Sequence, residues 1–484
     1  MGSLCLLQFL DPDPDAVASL RDGLLKTNMG IVAHYYMDVE LQGVLQAVKH
    51  SHPDLNNRIG IADSLKMGDL AVEMAKGGTT SVACLGVDFM SESVAAILKK
   101  NDFGHIPVYR ATSRAIGCSL AESAEGDSYR AWLQTESEAD QSKPCLHVIY
   151  INTSLETKAV SSSIVPTITC TSSNVLQTLL QASVQVPEVK ILYGPDTYMG
   201  HNLQTLLDVI IQNPSWTDDK IASDLHPGHS KDSLKKLREN LVVFPEGNCV
   251  VHHMFGSEVV QTVTEKYSDS YMTAHLEVPG EMFEIAMAKS LEDKGVVGST
   301  SDILRFISRM VYEAATSSTE KQRLKFVLGT EAGMVTSIVK SVQDIMETTG
   351  NKSVEAEIIF PVSSDAVMAV DEQTNNGTNL AVVPGVSGGE GCSTAGGCAT
   401  CPFMKMNDLE AVEDIIDMVH RTQQDKSSHD EVTLKGHLPP DRLKGRSING
   451  IDAADLSTEA IVYMRQFMQE KQLPDELVRK MNRL

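Results

Sequence analysis

The chain has 484 residues, a formal net charge of −23 and an ordinary apolar content of 42%. This length exceeds what one hydrophobic core usually serves, so we expect several domains. The acidic balance argues against a nucleic-acid partner or an anionic membrane, because both bind basic patches. No apolar run approaches the ~20 residues that span a bilayer, and the N-terminus resembles neither a secretory signal nor a transit peptide. These features predict a cytosolic protein or a processed or truncated chain.

Short β-branched runs alternate with longer amphipathic segments, which predicts parallel sheets built from βαβ units. Helices are expected between the runs, for example after Ser64 and after Ser173. The strand candidates are 30–34, 58–62, 81–87, 147–151, 167–170, 189–194, 240–244, 272–278, 295–298, 325–329 and 357–360.

The ends of these strand candidates fall into three groups with similar polar sequences. The first group reads AHYY, ADS and GVDFM, the second YINTS, TCTSSN and YGPD, and the third AHLE, GSTSD and GTEAG. Functional residues of parallel sheets lie at the carboxyl ends of the strands. We therefore predict three similar α/β domains, each of which presents small polar groups at one rim.

The last third of the chain contains two segments with little periodic pattern. Residues 368–400 are rich in Gly, Ser, Thr and Asn and predict a flexible loop that delivers the last cysteines. Residues 423–450 are polar and contain prolines, which predicts a linker or a surface tail. The following STEAIVYMRQFMQEKQL predicts a helix that starts at a serine cap and packs on the body.

Nine cysteines occur at irregular spacing, which favours a reducing compartment over a disulfide framework. Cys398 and Cys401 form a CxxC, which alone fits a redox dithiol, half a zinc site or part of an iron–sulfur site. Because no second CxxC is present, a metal or cluster would need distant ligands. Cys118 and Cys249 are the best candidates, since each opens a polar turn. The cysteines that we expect to be structural are Cys5, Cys84, Cys145 and Cys170.

Histidines and a glutamate near strand ends could serve proton transfer or metal binding. His34 follows an apolar run, where a structural histidine is the more common finding. His252 lies three positions after Cys249 and could face the same site or bind zinc. His275 and Glu277 are two residues apart, so an extended strand would place both on one face, as a general base and its neighbour require.

Four hydroxyl residues lie beside predicted helix N-termini. Each alone is most simply an N-cap. Together they could bind phosphate or carboxylate groups through hydroxyls, amides and helix dipoles. These residues are Ser64, Ser172, Ser299 and Thr300.

Taken in chain order, the motifs from about residue 28 to 420 closely resemble those of the quinolinate synthase family. They are AHYY (33–36), ADSLKM (62–67), GVDFMSESVAAIL (86–98), CSL (118–120), YINTS (150–154), TSSN (171–174), GNCVVH (247–252), HLE (275–277), GSTS (298–301), TEAG (330–333) and CPFMKMN (401–407). The resemblance implies three α/β/α sandwich domains in pseudo-threefold arrangement. It also implies one [4Fe–4S] cluster, held by Cys118, Cys249 and Cys401.

Members of that family condense iminoaspartate with dihydroxyacetone phosphate to quinolinate, the pyridine precursor of NAD, and release phosphate and two waters. Three thiolates on four irons leave one iron open to act as a Lewis acid. By motif, the resemblance implies that Glu277 is the general base. The other implied catalytic residues are His34, Tyr36, Tyr150, His252 and His275. The implied substrate-binding residues are Ser64, Asn152, Ser172, Ser299 and Thr300.

The resemblance also divides the chain. The expected domains are 28–118 with 401–425, 119–249 and 250–367. The remaining parts are the loop 368–400 and a C-terminal extension 426–484. The long loop and the extension resemble the plant-type enzyme, which implies a plastid location, with the cytoplasm as the alternative. Cys392 and Cys398 are hypothesised to form a reversible disulfide near the cluster.

The implied partners are L-aspartate oxidase as the upstream supplier, a cysteine desulfurase or sulfur-transfer protein for cluster assembly, and further copies of the chain in a homo-oligomer. Two other functions stay open from the residues. A non-enzymatic iron–sulfur carrier would explain the cysteines but not the polar strand ends. A zinc-dependent hydrolase would use His252, His275 and Glu277.

Overall fold

The structure is a computed structural model that describes residues 11–317, 320–361, 401–425 and 429–482. Its strands are β1 (Met29–His34), β2 (Ile59–Ala62), β3 (Ser81–Leu85), β4 (Val108–Arg110), β5 (Cys145–Tyr150), β6 (Thr167–Cys170), β7 (Lys190–Gly194), β8 (Leu241–Val243), β9 (Tyr271–His275), β10 (Gly295–Gly298), β11 (Gln322–Gly329), β12 (Val354–Ile359), β13 (Ser447–Ile448) and β14 (Ile451–Asp452). The first twelve strands form three parallel four-stranded sheets.

The three sheets share one strand order. They run β2-β1-β3-β4, β6-β5-β7-β8 and β10-β9-β11-β12, so the second strand in each sheet is the first of its group in the chain. The predicted α/β class with three similar domains is therefore confirmed. The predicted domain boundaries stay predictions.

Helices connect the strands and cover the sheets. They are α1 (Pro14–Thr27), α2 (Val39–Ser51), α3 (Ser64–Lys76), α4 (Asp88–Lys100), α5 (Ser119–Glu125), α6 (Asp127–Glu138), α7 (Leu155–Ile164), α8 (Val175–Gln185), α9 (Thr197–Gln212), α10 (Asp218–Asp224), α11 (Lys231–Asn240), α12 (Ser257–Lys266), α13 (Gly280–Ser290), α14 (Thr300–Ser317), α15 (Met334–Thr349), α16 (Leu409–Gln424), α17 (His429–Gly436), α18 (Ala453–Glu470) and α19 (Asp475–Met481). Within the described ranges, no helix has both the length and the apolar character needed to cross a membrane.

Strands with helices on both faces are buried throughout, which explains their continuous apolar sequences. Every residue of β1, β3 and β5 is buried. Polar residues take over where a strand ends and a helix begins. Asp63 caps α3, Ser154 caps α7 and Asp196 caps α9, each by accepting a main-chain N–H of the first turn.

Each of the eleven strand candidates overlaps an observed strand, but two predictions about strands are wrong. The strand β4 was not predicted. The candidate 272–278 is too long, because β9 ends at His275 and a turn follows. Cys84 and Cys170 lie fully buried in strands and Cys145 is 4% exposed, which confirms their structural placement.

The C-terminal part of the chain is more ordered than predicted. Residues 423–450, predicted as a linker or a surface tail, are mostly exposed where they are described, but α16, α17 and the β13–β14 hairpin occupy part of the range, so it is not a plain linker. The predicted terminal helix is confirmed, and it packs along α7. Its start is wrong, because Asp452 caps the helix and Ser457 is buried inside it. The predicted loop 368–400 lies outside the described residues, as do Cys5, Cys392 and Cys398.

Candidate active site and metal centre

The carboxyl ends of strands from all three sheets open into one cavity of about 80 Å³. Its lining contains most of the residues that the sequence singled out. These are His34, Tyr36, Ser64, Cys118, Tyr150, Asn152, Ser172, Cys249, His275, Glu277, Thr300 and Cys401. Residues far apart in the chain therefore meet at one place, as expected for the shared rim of parallel sheets.

A serine hydroxyl ties together two of the segments that carry cysteines. Ser119 Oγ donates to the carbonyl of Asn248 at 2.9 Å and accepts the main-chain N–H of Val250 at 3.3 Å. These two groups flank Cys249, and Ser119 itself follows Cys118. The hydrogen bonds therefore set the distance between the Cys118 and Cys249 segments.

The third cysteine segment is held by packing and by an amide side chain. A Cβ at Gly117 would lie 3.1 Å from the ring of Phe403, so glycine permits the close approach of the Cys118 and Cys401 segments. The side chain of Asn407 accepts the N–H of Gly86 at 3.1 Å and donates to its carbonyl at 3.3 Å. This pairing fixes the Cys401 segment to the end of β3.

The three thiols share an environment that favours their protonated form. Burial raises the pKa of Cys118 to about 12. Burial also raises the pKa of Cys249 well above its usual value, with the Glu277 charge adding to the effect, and that of Cys401 likewise, with Glu331 adding to it. Such thiols are poor free nucleophiles, because the thiolate is the reactive form. A metal would bind here by displacing the protons.

Glu277 lies at the centre of a buried hydrogen-bond network. Its Oε1 accepts the phenolic O–H of Tyr150, and its Oε2 lies 3.0 Å from His252 Nδ1. The same His252 nitrogen lies 3.3 Å from Cys249 Sγ. Burial alone would raise the pKa of the Glu277 carboxyl, but His252, His275 and the hydrogen bonds lower it below its usual value. The carboxylate is therefore ionised in the interior.

Equivalent strands of the first and third sheets end in similar histidines. His34 Nδ1 accepts the N–H of Tyr36 at 3.2 Å, and His275 Nδ1 accepts that of Glu277 at 3.3 Å. Burial lowers the pKa of His34 to about 3 and that of His275 to about 4. Both rings are thus neutral near pH 7, with the proton on Nε2.

The predicted reason for pairing His275 with Glu277 is wrong. They do not share one face of an extended strand, because Glu277 lies in the turn after β9. The turn brings the carboxylate back, so that its Oε1 lies 3.7 Å from His275 Nδ1. Their proximity is real, but it comes from a turn rather than from strand alternation.

The family model described as NadA: Quinolinate synthetase A protein matches residues 18–435. The chain belongs to this family. It is 46% identical over 476 residues to "Quinolinate synthase, chloroplastic" of Arabidopsis thaliana, covering 97% of the chain and 63% of that relative. It is 44% identical over 483 residues to the protein of the same name from Oryza sativa subsp. japonica, covering 97% and 65%. A "Quinolinate synthase" of Ehrlichia chaffeensis is 25% identical over 389 residues, covering 80% and 83%.

The chain therefore spans slightly less than two thirds of the length of these plant relatives. Two residues that the family resemblance pointed to do not line the cavity. His252 is 1% exposed, and its Nε2 lies 3.4 Å from Thr330 Oγ1 while its Nδ1 faces Glu277. Ser299 donates to Asp302 Oδ2 at 2.6 Å and accepts the N–H of Asp302 at 3.2 Å, so it serves as a cap for α14.

Glu331 is one of the cavity residues that reasoning from the sequence did not single out. It lies in the TEAG motif just after β11, is 1% exposed and lines the cavity. Neither carboxyl oxygen has a hydrogen-bond partner among the described residues. Burial raises its pKa well above the usual value, and the nearby N–H of Cys401 offsets only part of that rise. A carboxyl group directly after a buried strand was the available signal.

One group of side chains in this part of the family site could hold a single metal ion. The ligand atoms of Cys249, His252 and Glu277 lie within 4.8 Å of one another. This set differs from the predicted zinc set, because Cys249 takes the place of His275. His252 already contacts both Cys249 and Glu277, so binding of an ion there would replace these contacts.

Proposed function

We propose that this chain catalyses the quinolinate synthase reaction of NAD biosynthesis. Iminoaspartate and dihydroxyacetone phosphate condense and cyclise to quinolinate, with loss of phosphate and two waters. One observation carries the proposal: three cysteines from three separate segments line one cavity at the rims of three similar sheets. Family membership supports it, and the names of the plant relatives support a plastid location.

We propose that Cys118, Cys249 and Cys401 hold a [4Fe–4S] cluster. The donor set fits, because three soft sulfur ligands in one buried cavity suit an iron–sulfur cluster better than a hard cation. When bound, a cluster with one iron free of protein ligands supplies a Lewis acid that polarises a substrate hydroxyl or carbonyl. A sulfur-transfer protein for its assembly, L-aspartate oxidase as a supplier and a homo-oligomeric state belong to the same proposal.

The substrate would be held by neutral donors. No lysine or arginine occurs among the described residues that line the cavity. Ser64 and Thr300 are the first residues of α3 and α14, and Ser172 precedes α8, so hydroxyls and helix N-termini face the site together. These groups bind carboxylates and phosphate through hydrogen bonds and helix dipoles. Asn152 adds an amide at the end of β5.

Glu277 is the proposed general base. Condensation and ring closure need protons removed from carbon and nitrogen, and an ionised carboxylate in the cavity can accept them. Tyr150 holds one carboxylate oxygen through its hydroxyl. His34 and His275 add neutral imidazoles that can donate a hydrogen bond from Nε2 without adding charge, and Tyr36 adds a hydroxyl.

The test is an anaerobic preparation with iron and sulfide counts, an absorption and EPR spectrum, and an assay with both substrates. We expect four irons and four sulfides per chain, and quinolinate as the product. Glu277→Gln should keep the iron but lose about 10²–10⁴-fold in rate. A preparation with a cluster but without quinolinate formation would instead favour the iron–sulfur carrier.

A zinc-dependent hydrolase is the second candidate, and the close group of Cys249, His252 and Glu277 favours it. Three protein ligands with one open position are typical of catalytic zinc. Zinc without iron or sulfide in protein isolated anaerobically would favour this function. His252→Ala would then remove the metal, whereas the cluster proposal expects iron to be retained in that variant.

A further inference from the structure

One segment of the C-terminal extension contacts β4, the edge strand of the first sheet, near the turn that leads to Cys118. We call residues 436–446 the clamp. The clamp begins just beyond residue 435, where the family-model match ends. The main-chain N–H of Arg110, the last residue of β4, donates to the carbonyl of His437 at 2.7 Å. The carbonyl of Arg110 in turn accepts from His437 Nδ1 at 3.0 Å.

The side chain of Arg110 makes the second set of contacts to the clamp. It is 6% exposed. Its Nη2 donates to the carbonyl of Gly436 at 3.0 Å, and its Nε donates to that of Leu438 at 3.1 Å. The planar fork of a guanidinium can reach several acceptors at once, which a lysine cannot do. Arg110 therefore binds the carbonyls on both sides of His437.

The remaining donors of Arg110 point toward the segment that carries Cys118. Its Nη1 donates to the carbonyl of Arg114 at 3.0 Å and to Asp88 Oδ1 at 2.8 Å. The N–H of Asp88 donates to the carbonyl of Ile116 at 2.9 Å. Both carbonyls lie within four residues of Cys118, so Arg110 connects the clamp to the turn that presents this thiol.

The rest of the clamp contacts the helices that follow two cavity segments. Arg442 Nη1 donates to Glu125 Oε1 at 2.8 Å on α5, the helix that begins directly after Cys118. Arg446 donates to Glu156 on α7, the helix that follows segment 150–154. The clamp thus contacts both sides of the turn that ends at Cys118.

We propose that the clamp, acting through the positioning residue Arg110, holds Cys118 in the place that a cluster ligand must occupy. That Cys118 is a cluster ligand rests on the proposed function. The clamp residues lie beyond the family-model match, whereas Arg110 and the segments that it contacts lie within it. Loss of the clamp should free the 111–118 turn while the sheet stays folded.

The test measures thiol alkylation in the full chain, reduced and freed of metal under anaerobic conditions. Arg110→Lys keeps the charge but loses the fork, and His437→Leu loses one hydrogen bond from the other side. Cys84, fully buried in β3 of the same sheet, reports unfolding of the domain. Mass spectrometry should show Cys118 reacting about tenfold faster in Arg110→Lys, and Cys84 less than about twofold faster, since tenfold corresponds to about 1.4 kcal/mol of local opening.

Arg309→Lys is the matched control, because the same change is made at an exposed arginine beside the third sheet. It should leave both rates unchanged. The proposal is overturned if neither Arg110→Lys nor His437→Leu raises the alkylation rate of Cys118 selectively over that of Cys84. A chain that never binds iron and sulfide would refute the proposed function, yet the thiol rates would still decide whether the clamp positions Cys118.

Discussion

Two buried polar sites near segment 150–154 differ in how fully their hydrogen bonds are made: one is around Lys158 and the other is Glu331 in the cavity. At the first site, Lys158 is fully buried and donates from Nζ to the carbonyl of Ile151 at 3.2 Å, to the carbonyl of Thr153 and to Thr153 Oγ1 at 2.9 Å. At the second site, Glu331 lines the cavity with both oxygens unpaired among the described residues. Both side chains are almost fully buried, but Lys158 makes several hydrogen bonds whereas Glu331 makes none to the described residues.

The difference distinguishes a side chain that stabilises the fold from one that is available to bind a ligand. A buried polar group with all its bonds made stiffens the fold, whereas one left unpaired costs free energy unless something else binds it. Glu92 belongs to the first kind, because its Oε2 accepts the N–H of Leu155 at 2.9 Å near Lys158. Together these residues hold the segment that carries Tyr150 and Asn152 into the cavity.

The largest effect should come from replacing Lys158, whose ammonium group makes the hydrogen bonds described above. Lys158→Met leaves the carbonyls of Ile151 and Thr153 without their buried N–H donor, so the free energy of unfolding should fall by about 4 kcal/mol. Urea unfolding followed by circular dichroism measures it. Lys190→Met, which breaks a partly exposed ion pair with Glu136, should cost about 1 kcal/mol or less. Equal losses would contradict a special role for Lys158.

The same cluster predicts a pH dependence. Burial raises the pKa of Glu92 to about 7. Between about pH 4.5 and 7 the unfolded chain loses this proton while the folded chain keeps it, so stability falls as pH rises. The free energy of unfolding of the unmodified chain, relative to Glu92→Gln, should fall by about 3 kcal/mol over that range. A difference that stays constant with pH would show that Glu92 does not titrate abnormally.

On the cavity side, Glu331→Gln should separate activity from stability. Quinolinate formation should fall about 100-fold, because the carboxyl group lines the cavity in which the reaction is proposed to take place. The free energy of unfolding should change by less than about 0.5 kcal/mol, since no hydrogen bond is lost. Glu355→Gln, at an exposed position on β12, should change neither quantity. A large loss of stability in Glu331→Gln would show instead that Glu331, like Lys158, stabilises the fold.

The smallest effect concerns the hydroxyl that joins two cysteine segments. Ser119→Ala should cost about 1 kcal/mol and make the chain lose iron several-fold faster to a chelator. Ser123→Ala is a close control, because Ser123 also donates to the Cys249 side, at the carbonyl of Glu246, but through an exposed hydrogen bond. Chelation followed by iron absorbance measures both. Identical rates in the two variants would remove the special role of Ser119.

The strands could be predicted because strands buried on both faces have continuous apolar sequences. The strand β4 could not, since its burial depends on Arg110 and on partners 326 to 328 residues away. A charged residue that ends a short strand carries no local sign of such a partner. The clamp was predicted as part of a linker or a surface tail for the same reason: its polar side chains pair with distant segments.

The prediction of the site is accurate for residues that end a strand, and less accurate for residues that lie in turns. Tyr150 and His275 end equivalent strands and line the cavity, as expected. Glu277 reaches it through a turn, Ser299 caps α14 instead of lining the cavity, and Glu331 was not singled out although it lies just after β11. Side-chain direction in turns depends on tertiary contacts that a sequence pattern does not contain.

The central claim is that three cysteines from separate segments jointly hold one iron–sulfur cluster. The most direct measurement is the iron and sulfide content, with quinolinate formation, of anaerobically purified serine variants. Cys118→Ser, Cys249→Ser and Cys401→Ser should each lose the cluster and the activity, while Cys84→Ser, changed in the core of β3, should retain the cluster. Full iron content and activity in any of the first three variants would contradict the assignment.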